Sequence, residues 1–344
     1  MHEVQKKTLA QRLMALLLAV LLALPLYGQR VWASPGERSV IPLGKAVGIK
    51  LFADGVLVVK VSELESGAKS VSPARDCGLQ EGDLILTLND ERVNTTERVQ
   101  SLLQTNTTKA VQLTVKRGDK TLSMQASAVR CDDGVYRLGA WIRDSMAGIG
   151  TLTYYDPETC AYGALGHGIT DVDTAQLMPL QSGSIMETQV KAVRKGERGQ
   201  PGELKGDFSV QRDVGTVSAN TDGGIFGTVA DADFLNACTP VPVAKADEVK
   251  LGKATILSTI SGDETQAYTV EIVKLYPRSH ATRNLLVKVT DPRLLETTGG
   301  IVQGMSGSPI LQNGKLIGAV THVLVNDPTQ GYGIFMENML KAAG

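Results

Sequence analysis

One serine has neighbours suited to nucleophilic chemistry. Ser306 stands in the segment Gly-Met-Ser-Gly-Ser-Pro (304–309), directly before the apolar pair Ile310 and Leu311. A nucleophilic serine needs an exposed hydroxyl beside backbone N–H groups that face a developing oxyanion, and glycine neighbours allow the sharp turn that presents both. The segment therefore indicates a catalytic serine, although a plain Gly/Ser hairpin would have the same composition.

A serine hydroxyl needs a base, and histidine is the usual one because its pKa lies near neutrality. The chain has four histidines, of which His2 lies in the N-terminal leader. His167 stands in the glycine-rich segment 163–171, which predicts a tight turn that opens its ring to a cleft. His280 lies in a polar stretch typical of a surface turn, and His322 falls within a strand, where a packed or supporting role is expected. We therefore predict His167 as the base.

A buried carboxylate would orient this histidine and stabilise the imidazolium. Asp291 follows a predicted strand and lies 15 residues before Ser306. Asp171 and Asp173 are near His167 in the sequence, but they are equally consistent with a solvated turn. The residues alone leave this choice open.

The composition excludes some classes of function. The 344 residues carry a formal net charge of −1, so no basic field favours nucleic acid. Glycine is abundant, at 36 residues, and aromatic residues make up 4%, which favours short strands and tight turns over long helical bundles. The four cysteines are widely spaced without a C-x-x-C pair, so the sequence indicates neither a metal site nor a cofactor.

The N-terminus has the pattern of an export signal. Three basic residues precede an uncharged apolar run over residues 13–27, and a small residue, Ala33, follows. Residues 1–33 are predicted to be a signal peptide or a signal-anchor, and the run is shorter than the roughly 20 residues of a membrane span. Residues 34–45 are predicted to be a linker.

The next region resembles a PDZ domain, which we place at residues 46–130. The segment Ala-x-x-x-Gly-Leu-x-x-Gly-Asp-x-Ile-Leu (74–86) carries the resemblance, and a capped amphipathic helix is expected from Asn94 onward. Such domains bind an extended peptide by strand addition and hold its terminal carboxylate in a glycine-containing loop. By position the loop is Val47, Gly48 and Ile49. The ligand would be a partner's terminus or a segment of this chain, unless the domain only packs against its neighbour.

From residue 131 to 344 the pattern is of evenly spaced strands without a long amphipathic helix, which favours an antiparallel barrel or sandwich. The polar segment 191–207 is expected to be a solvated hairpin or loop.

Four segments of this region resemble the SpoIVB-type sporulation peptidases. They are residues 163–171, 290–292, 300–309 and 318–328. The resemblance implies a mostly β fold, with the PDZ domain followed by a chymotrypsin-like double-β-barrel peptidase domain. It implies the catalytic triad His167, Asp291 and Ser306, with the N–H groups of Gly304 and Ser306 as the oxyanion hole.

The resemblance also implies a biological role. The serine endopeptidase would be exported across the forespore inner membrane into the intermembrane space, held there or released by its N-terminal segment. It would cleave a membrane-anchored regulatory subunit of an intramembrane protease complex, and a late mother-cell sigma factor would become active. Two alternatives remain, a non-catalytic PDZ signalling scaffold and a general extracytoplasmic quality-control protease, although such proteases usually carry the PDZ domain after the protease domain.

Two features differ from ordinary chymotrypsin-like enzymes. The interval from Asp291 to Ser306 is short. Met305 replaces the aspartate that commonly precedes the serine, so activation through a salt bridge from that aspartate to a new N-terminus is not available. Control is expected to come from the PDZ domain, from localisation or from self-processing.

Overall fold

The computed structural model describes residues 38–344 except 68, 107–109, 231, 236–238 and 278–281. The predicted export signal, residues 34–37 of the predicted linker, and His280 lie outside the described residues. Residues from Ser39 to Gly344 form one compact unit. None of the helices in this described part has both the length and the apolar character that crossing a bilayer requires.

Strands dominate the unit. The first eleven are β1 (Ser39–Pro42), β2 (Ala46–Val61), β3 (Leu64–Ser66), β4 (Lys69–Val71), β5 (Leu84–Leu88), β6 (Glu91–Arg92), β7 (Ala110–Arg117), β8 (Lys120–Ser127), β9 (Val129–Arg130), β10 (Tyr136–Arg137) and β11 (Ala140–Asp156). The others are β12 (Ala161–Ala164), β13 (Ser182–Arg194), β14 (Glu203–Thr221), β15 (Gly224–Val229), β16 (Val241–Pro242), β17 (Gly252–Ser258), β18 (Gln266–Leu275), β19 (Leu285–Val289), β20 (Pro309–Gln312), β21 (Lys315–Leu324) and β22 (Asp327–Phe335). The helices are α1 (Pro73–Asp76), α2 (Thr96–Thr105), α3 (Pro292–Thr298) and α4 (Met336–Ala343), with 3₁₀ turns at Ala232–Leu235 and Ala246–Glu248.

Six strands form an N-terminal barrel. They pair antiparallel in the order β2, β11, β12, β15, β14, β13, and β13 pairs again with β2. Leu51, Leu152, Ile185 and Ile225 are fully buried in its core. Within the polar segment 191–207, β13 and β14 pair as a hairpin, which is one of the two alternatives expected from the sequence.

A second, C-terminal barrel closes in the order β17, β18, β19, β22, β21, β20. Buried and exposed residues alternate along β18 and β19, as expected where one face of each strand lines a core. Ile256, Val270, Val287 and Ile310 are buried inside. The mostly β, double-barrel fold predicted from the sequence is confirmed.

The predicted PDZ domain is inserted into the N-terminal barrel. Its sheet consists of the second half of β2 with β5, β7 and β8, and the first residues of β11 pair with the other edge of β2. Helix α2 packs Val99, Leu102 and Leu103 against this sheet. The side chain of Thr95, rather than the predicted Asn94, caps the helix by accepting a hydrogen bond from the Arg98 N–H.

The structure differs from the predicted domain boundaries at the N-terminal side. Within the predicted linker 34–45, β1 pairs with β11 and β16. Within the predicted PDZ range 46–130, the first half of β2 belongs to the N-terminal barrel. Alternating apolar residues do not distinguish a barrel strand from a PDZ strand, and β2 is both in succession.

Candidate active site

The serine turn belongs to the C-terminal barrel but is held by the N-terminal one. The hydroxyl of Thr151 donates to the Gly304 carbonyl at 2.7 Å, and that of Thr153 donates to the Gly307 carbonyl at 2.8 Å. Gly307 has φ +98°, and a Cβ added there would lie 2.0 Å from the Thr151 carbonyl oxygen. Only glycine fits this close approach. Ser306 is therefore fixed at the junction of the two barrels.

The same turn leaves two N–H groups for an oxyanion. The N–H of Met305 donates to Val302 and that of Gly307 donates to Val320, whereas those of Gly304 and Ser306 donate no hydrogen bond within the described residues. These are the two groups predicted as the oxyanion hole. An oxyanion hole requires such uncommitted donors, held by the surrounding backbone.

His167 and Ser306 line one cavity of about 410 Å³, to which Gly304 and His322 also contribute. The chain turns sharply into His167, because Gly166 has φ +67°. A Cβ on Gly166 would lie 2.9 Å from a methyl carbon of Thr321. The hydroxyl of Ser306 donates to the Thr321 carbonyl at 2.7 Å. The structure thus brings the predicted nucleophile and base into one site, with the serine proton held on a backbone carbonyl.

The His167 ring is oriented by its own chain neighbour. Its Nδ1 lies 2.8 Å from the Gly168 carbonyl oxygen. A carbonyl only accepts, so Nδ1 carries the hydrogen and Nε2 is left with a lone pair, as a general base requires. Burial lowers the pKa of His167, although the bond to Gly168 opposes this. The imidazole is therefore neutral at pH 7.

His322, for which the sequence predicted a packed or supporting role, also lines the site. Its ring centroid lies 4.9 Å from that of His167, with the planes tilted by 38°. Its Nδ1 is buried and has no hydrogen-bond partner among the described residues. Burial, with smaller contributions from His167 and Arg283, lowers the pKa of His322 to about 4. One signal was available: His322 is an imidazole in an otherwise mostly apolar strand 16 residues after the serine.

The structure does not bring Asp291 to His167, contrary to the prediction for the third triad member. Asp291 caps helix α3: its carboxylate accepts from the N–H groups of Thr269 at 3.2 Å and Arg293 at 3.0 Å. It also pairs with the Arg293 guanidinium at 2.9 Å. The hydrogen bond from that side chain, with those from the two backbone N–H groups, outweighs the opposing effect of burial and lowers the pKa of Asp291 to about 2. Asp-Pro is a common helix start, because aspartate caps and proline fits the first turn.

The two alternative carboxylates are also committed elsewhere. Asp171 is fully buried, accepts from the Thr174 N–H at 2.9 Å and pairs with Arg143. Asp173 pairs with the same guanidinium at 3.0 Å. Both therefore stabilise the loop that follows His167, and the Gly168 carbonyl occupies the place at Nδ1 that a triad aspartate would take. In the described residues, no three His, Cys, Asp or Glu side chains converge to hold a metal ion.

The predicted carboxylate loop of the PDZ domain is wrong. Val47, Gly48 and Ile49 lie inside β2, where they pair with β11 on one side and β13 on the other. Their backbone is enclosed between two barrel strands, so these residues cannot receive a peptide terminus.

Comparison with known proteins agrees with this architecture. Residues 134–340 match the sequence model of the SpoIVB peptidase S55 family, and residues 67–117 match that of a PDZ domain. No curated protein matches the chain significantly.

Three solved structures are similar over part of the chain. The PDZ domain of the SdrC-like protein of Listeria monocytogenes has 21% identity, covers 26% of this chain and 87% of its own, and has a TM-score of 0.21. A serine-to-alanine mutant of Rv3671c from M. tuberculosis H37Rv, in an inactive form, has 14% identity, covers 57% of this chain and 80% of its own, and has a TM-score of 0.33. The Rv3671c protease, also in an inactive form, has 15% identity, 57% and 82% coverage, and the same TM-score. Because the peptidase model spans more than half of the residues, the chain belongs to the SpoIVB peptidase S55 family and is a serine endopeptidase.

Proposed function

We propose that this serine endopeptidase acts in sporulation: it cleaves a membrane-anchored regulator of an intramembrane protease and so causes a late mother-cell sigma factor to become active. The N-terminal segment 1–33 would carry it across the forespore inner membrane to the intermembrane space. The observation that carries the proposal is the match of residues 134–340 to the SpoIVB peptidase family, in a chain that retains Ser306 and His167 in one cavity.

The chemistry follows from the site. To react, the Ser306 hydroxyl leaves the Thr321 carbonyl and donates to Nε2 of His167. The serine oxygen then bonds to the peptide carbonyl carbon, and the N–H groups of Gly304 and Ser306 bind the oxyanion. His167 returns the proton to the departing amine, and water repeats the sequence to release the acid. The Gly168 carbonyl holds Nδ1–H throughout, so Nε2 stays aimed at the serine.

The proposal is tested in a sporulating host whose own enzyme of this family is replaced by this chain. Cleavage of the regulator is followed by immunoblot, and the late sigma factor by a reporter. Ser306→Ala and His167→Ala should abolish both signals. Ser101→Ala, at an exposed helical serine without a side-chain hydrogen bond in the described structure, should leave them unchanged.

The alternatives give different results. A PDZ scaffold would keep the reporter active in Ser306→Ala at the same protein level. A quality-control protease would degrade an unfolded protein such as reduced casein at many sites, whereas the proposed enzyme cuts the regulator at one or a few.

A further inference from the structure

The loop that follows His167 lies against the PDZ sheet. We call residues 168–178 the histidine loop. Met178, its last residue, is buried in one apolar cluster with Leu84 of strand β5. Gly168, its first residue, provides the carbonyl that holds Nδ1 of His167. The histidine loop therefore connects the PDZ sheet to the ring that must act as the base.

The two ends of the histidine loop are fixed by one side chain, that of Asn220 in β14. Its amide oxygen accepts from the Ile169 N–H at 2.8 Å, and its amide nitrogen donates to the carbonyls of Ile169 and Met178, each at 2.9 Å. The Met178 N–H also donates to the Ile169 carbonyl at 2.9 Å. The ends of the loop are thus anchored on the N-terminal barrel, and its middle must be held by other contacts.

Arg143 of β11 holds the middle of the histidine loop. Its guanidinium pairs with the carboxylate of Asp171 and, at 3.0 Å, with that of Asp173. Asp171 is fully buried, and its other oxygen accepts from the N–H groups of Asp173 at 3.1 Å and Thr174 at 2.9 Å. A buried carboxylate that loses its cation is left uncompensated, which is strongly unfavourable. The loop therefore keeps this shape only while Arg143 stays in place.

The strand that carries Arg143 also holds the helix of the PDZ domain. The next residue, Asp144, accepts the N–H of Thr96, the first residue of α2, at 2.8 Å. The pairing of β11 with β2 shifts in register between Arg143 and Ser145, and such irregularities re-aim side chains next to active sites. Consecutive residues of one strand thus hold the start of α2 and the histidine loop.

We propose that Arg143 is a positioning residue for His167, and that the contact of Asp144 with helix α2 sets the position of Arg143. A displacement of α2 moves Arg143 and the histidine loop with it. The Gly168 carbonyl then no longer holds Nδ1, and Nε2 is no longer aimed at Ser306. This inference rests on the catalytic roles proposed above for His167 and Ser306, but it does not depend on which protein the enzyme cleaves.

The test measures, in the full chain, the rate at which a fluorophosphonate labels Ser306 and the free energy of unfolding by chemical denaturation. The variants are Arg143→Gln, Arg143→Lys, Asp144→Ala, and Arg143→Gln combined with Asp144→Ala. Arg117→Gln is the matched control. Arg117 also pairs with a buried carboxylate, that of Asp83 at 2.6 Å, and its side-chain hydrogen bonds lie within the PDZ domain.

We expect Arg143→Gln to slow labelling on the order of thirtyfold, whereas Arg117→Gln, with a similar loss of stability, should be labelled at the parent rate. Lysine keeps the charge but not the forked geometry of arginine, so Arg143→Lys should restore part of the rate. Asp144→Ala should slow labelling about threefold. The double variant should be no slower than Arg143→Gln, because the two residues act in series.

Equal slowing by Arg117→Gln would overturn the proposal, because the effect would then be a general loss of stability. Single effects that multiply in the double variant would also overturn it, because the two residues would then act independently. Asp144→Ala leaves the ion pairs of Arg143 in place, so it decides the question even where Arg143→Gln does not fold; labelling at the parent rate would refute the link to α2. Loss of cleavage of the proposed regulator with normal labelling would count against that substrate alone.

Discussion

Asp291→Asn separates a helix-capping role from a catalytic one. In the folded protein the pKa of Asp291 falls from about 3.9 to about 2, because Arg293 and backbone N–H groups favour the charged form. Two pKa units correspond to roughly 2.7 kcal/mol as a ceiling. The Arg293 side chain is 61% exposed, so solvent screens the ion pair. We therefore expect Asp291→Asn to lower the free energy of unfolding by about 1 kcal/mol. Asparagine still caps the helix.

The pH dependence has a definite sign. Because the folded pKa is the lower one, the contribution is complete above about pH 4 and is lost as the pH falls towards 2. Chemical denaturation from pH 7 to pH 2 should therefore show the parent and the variant converging in acid. At pH 7, kcat/KM and the rate of fluorophosphonate labelling at Ser306 should stay within about threefold of the parent, since Asp291 lies outside the site.

A triad aspartate behaves differently, because its amide variant loses about 10⁴-fold in kcat. If Asp291→Asn lost activity on that scale with its free energy of unfolding unchanged, the reasoning from the helix cap would be refuted. Ser306→Ala, which lacks the nucleophilic hydroxyl, gives the background signal of the labelling assay.

Three further predictions concern the residues that surround the serine. Replacing His322 by alanine should expose His167 and raise the pKa of His167 towards its ordinary value. The acid limb of the pH profile of kcat/KM should then move to higher pH. A profile with the same acid limb as the parent would contradict the argument that burial lowers this pKa. Gly307→Ala should lower the free energy of unfolding by roughly 3 kcal/mol and abolish fluorophosphonate labelling, because its Cβ would meet the Thr151 carbonyl. Chemical denaturation and the labelling assay measure these two effects. Thr151→Val should lower kcat/KM about tenfold by removing a hydrogen bond to the serine turn. Thr188→Val, at a buried hydroxyl without a partner in the described structure, should instead raise the free energy of unfolding by about 1 kcal/mol.

The local sequence pattern was sufficient to predict elements whose side chains pack within one domain. The helix expected after Asn94 is present, and its buried face follows from the spacing of its apolar residues. Ser306 and His167 were found because each stands among glycines whose positive φ angles serve the site.

Contacts between residues far apart in the sequence could not be predicted from local sequence patterns. Nothing local shows that His322 would meet His167, since the two lie on strands and turns 155 residues apart. Val47–Ile49 was misplaced because a barrel strand and a PDZ strand alternate alike. Asp291 was misassigned because family resemblance outweighed the Asp-Pro pattern of a helix start, which the residues themselves displayed.

The shared strands change how the PDZ domain can be studied. Since β2 and β11 each run from the PDZ sheet into the N-terminal barrel, there is no flexible tether between the two. A deletion that starts at residue 46 would remove a strand of the N-terminal barrel, the first half of β2, together with the PDZ domain. Only an internal excision, with a short turn joining the barrel halves of the two strands, isolates the peptidase. Because the two sheets share these strands, we expect the PDZ sheet and the N-terminal barrel to unfold together, so that a substitution in one lowers the stability of the other.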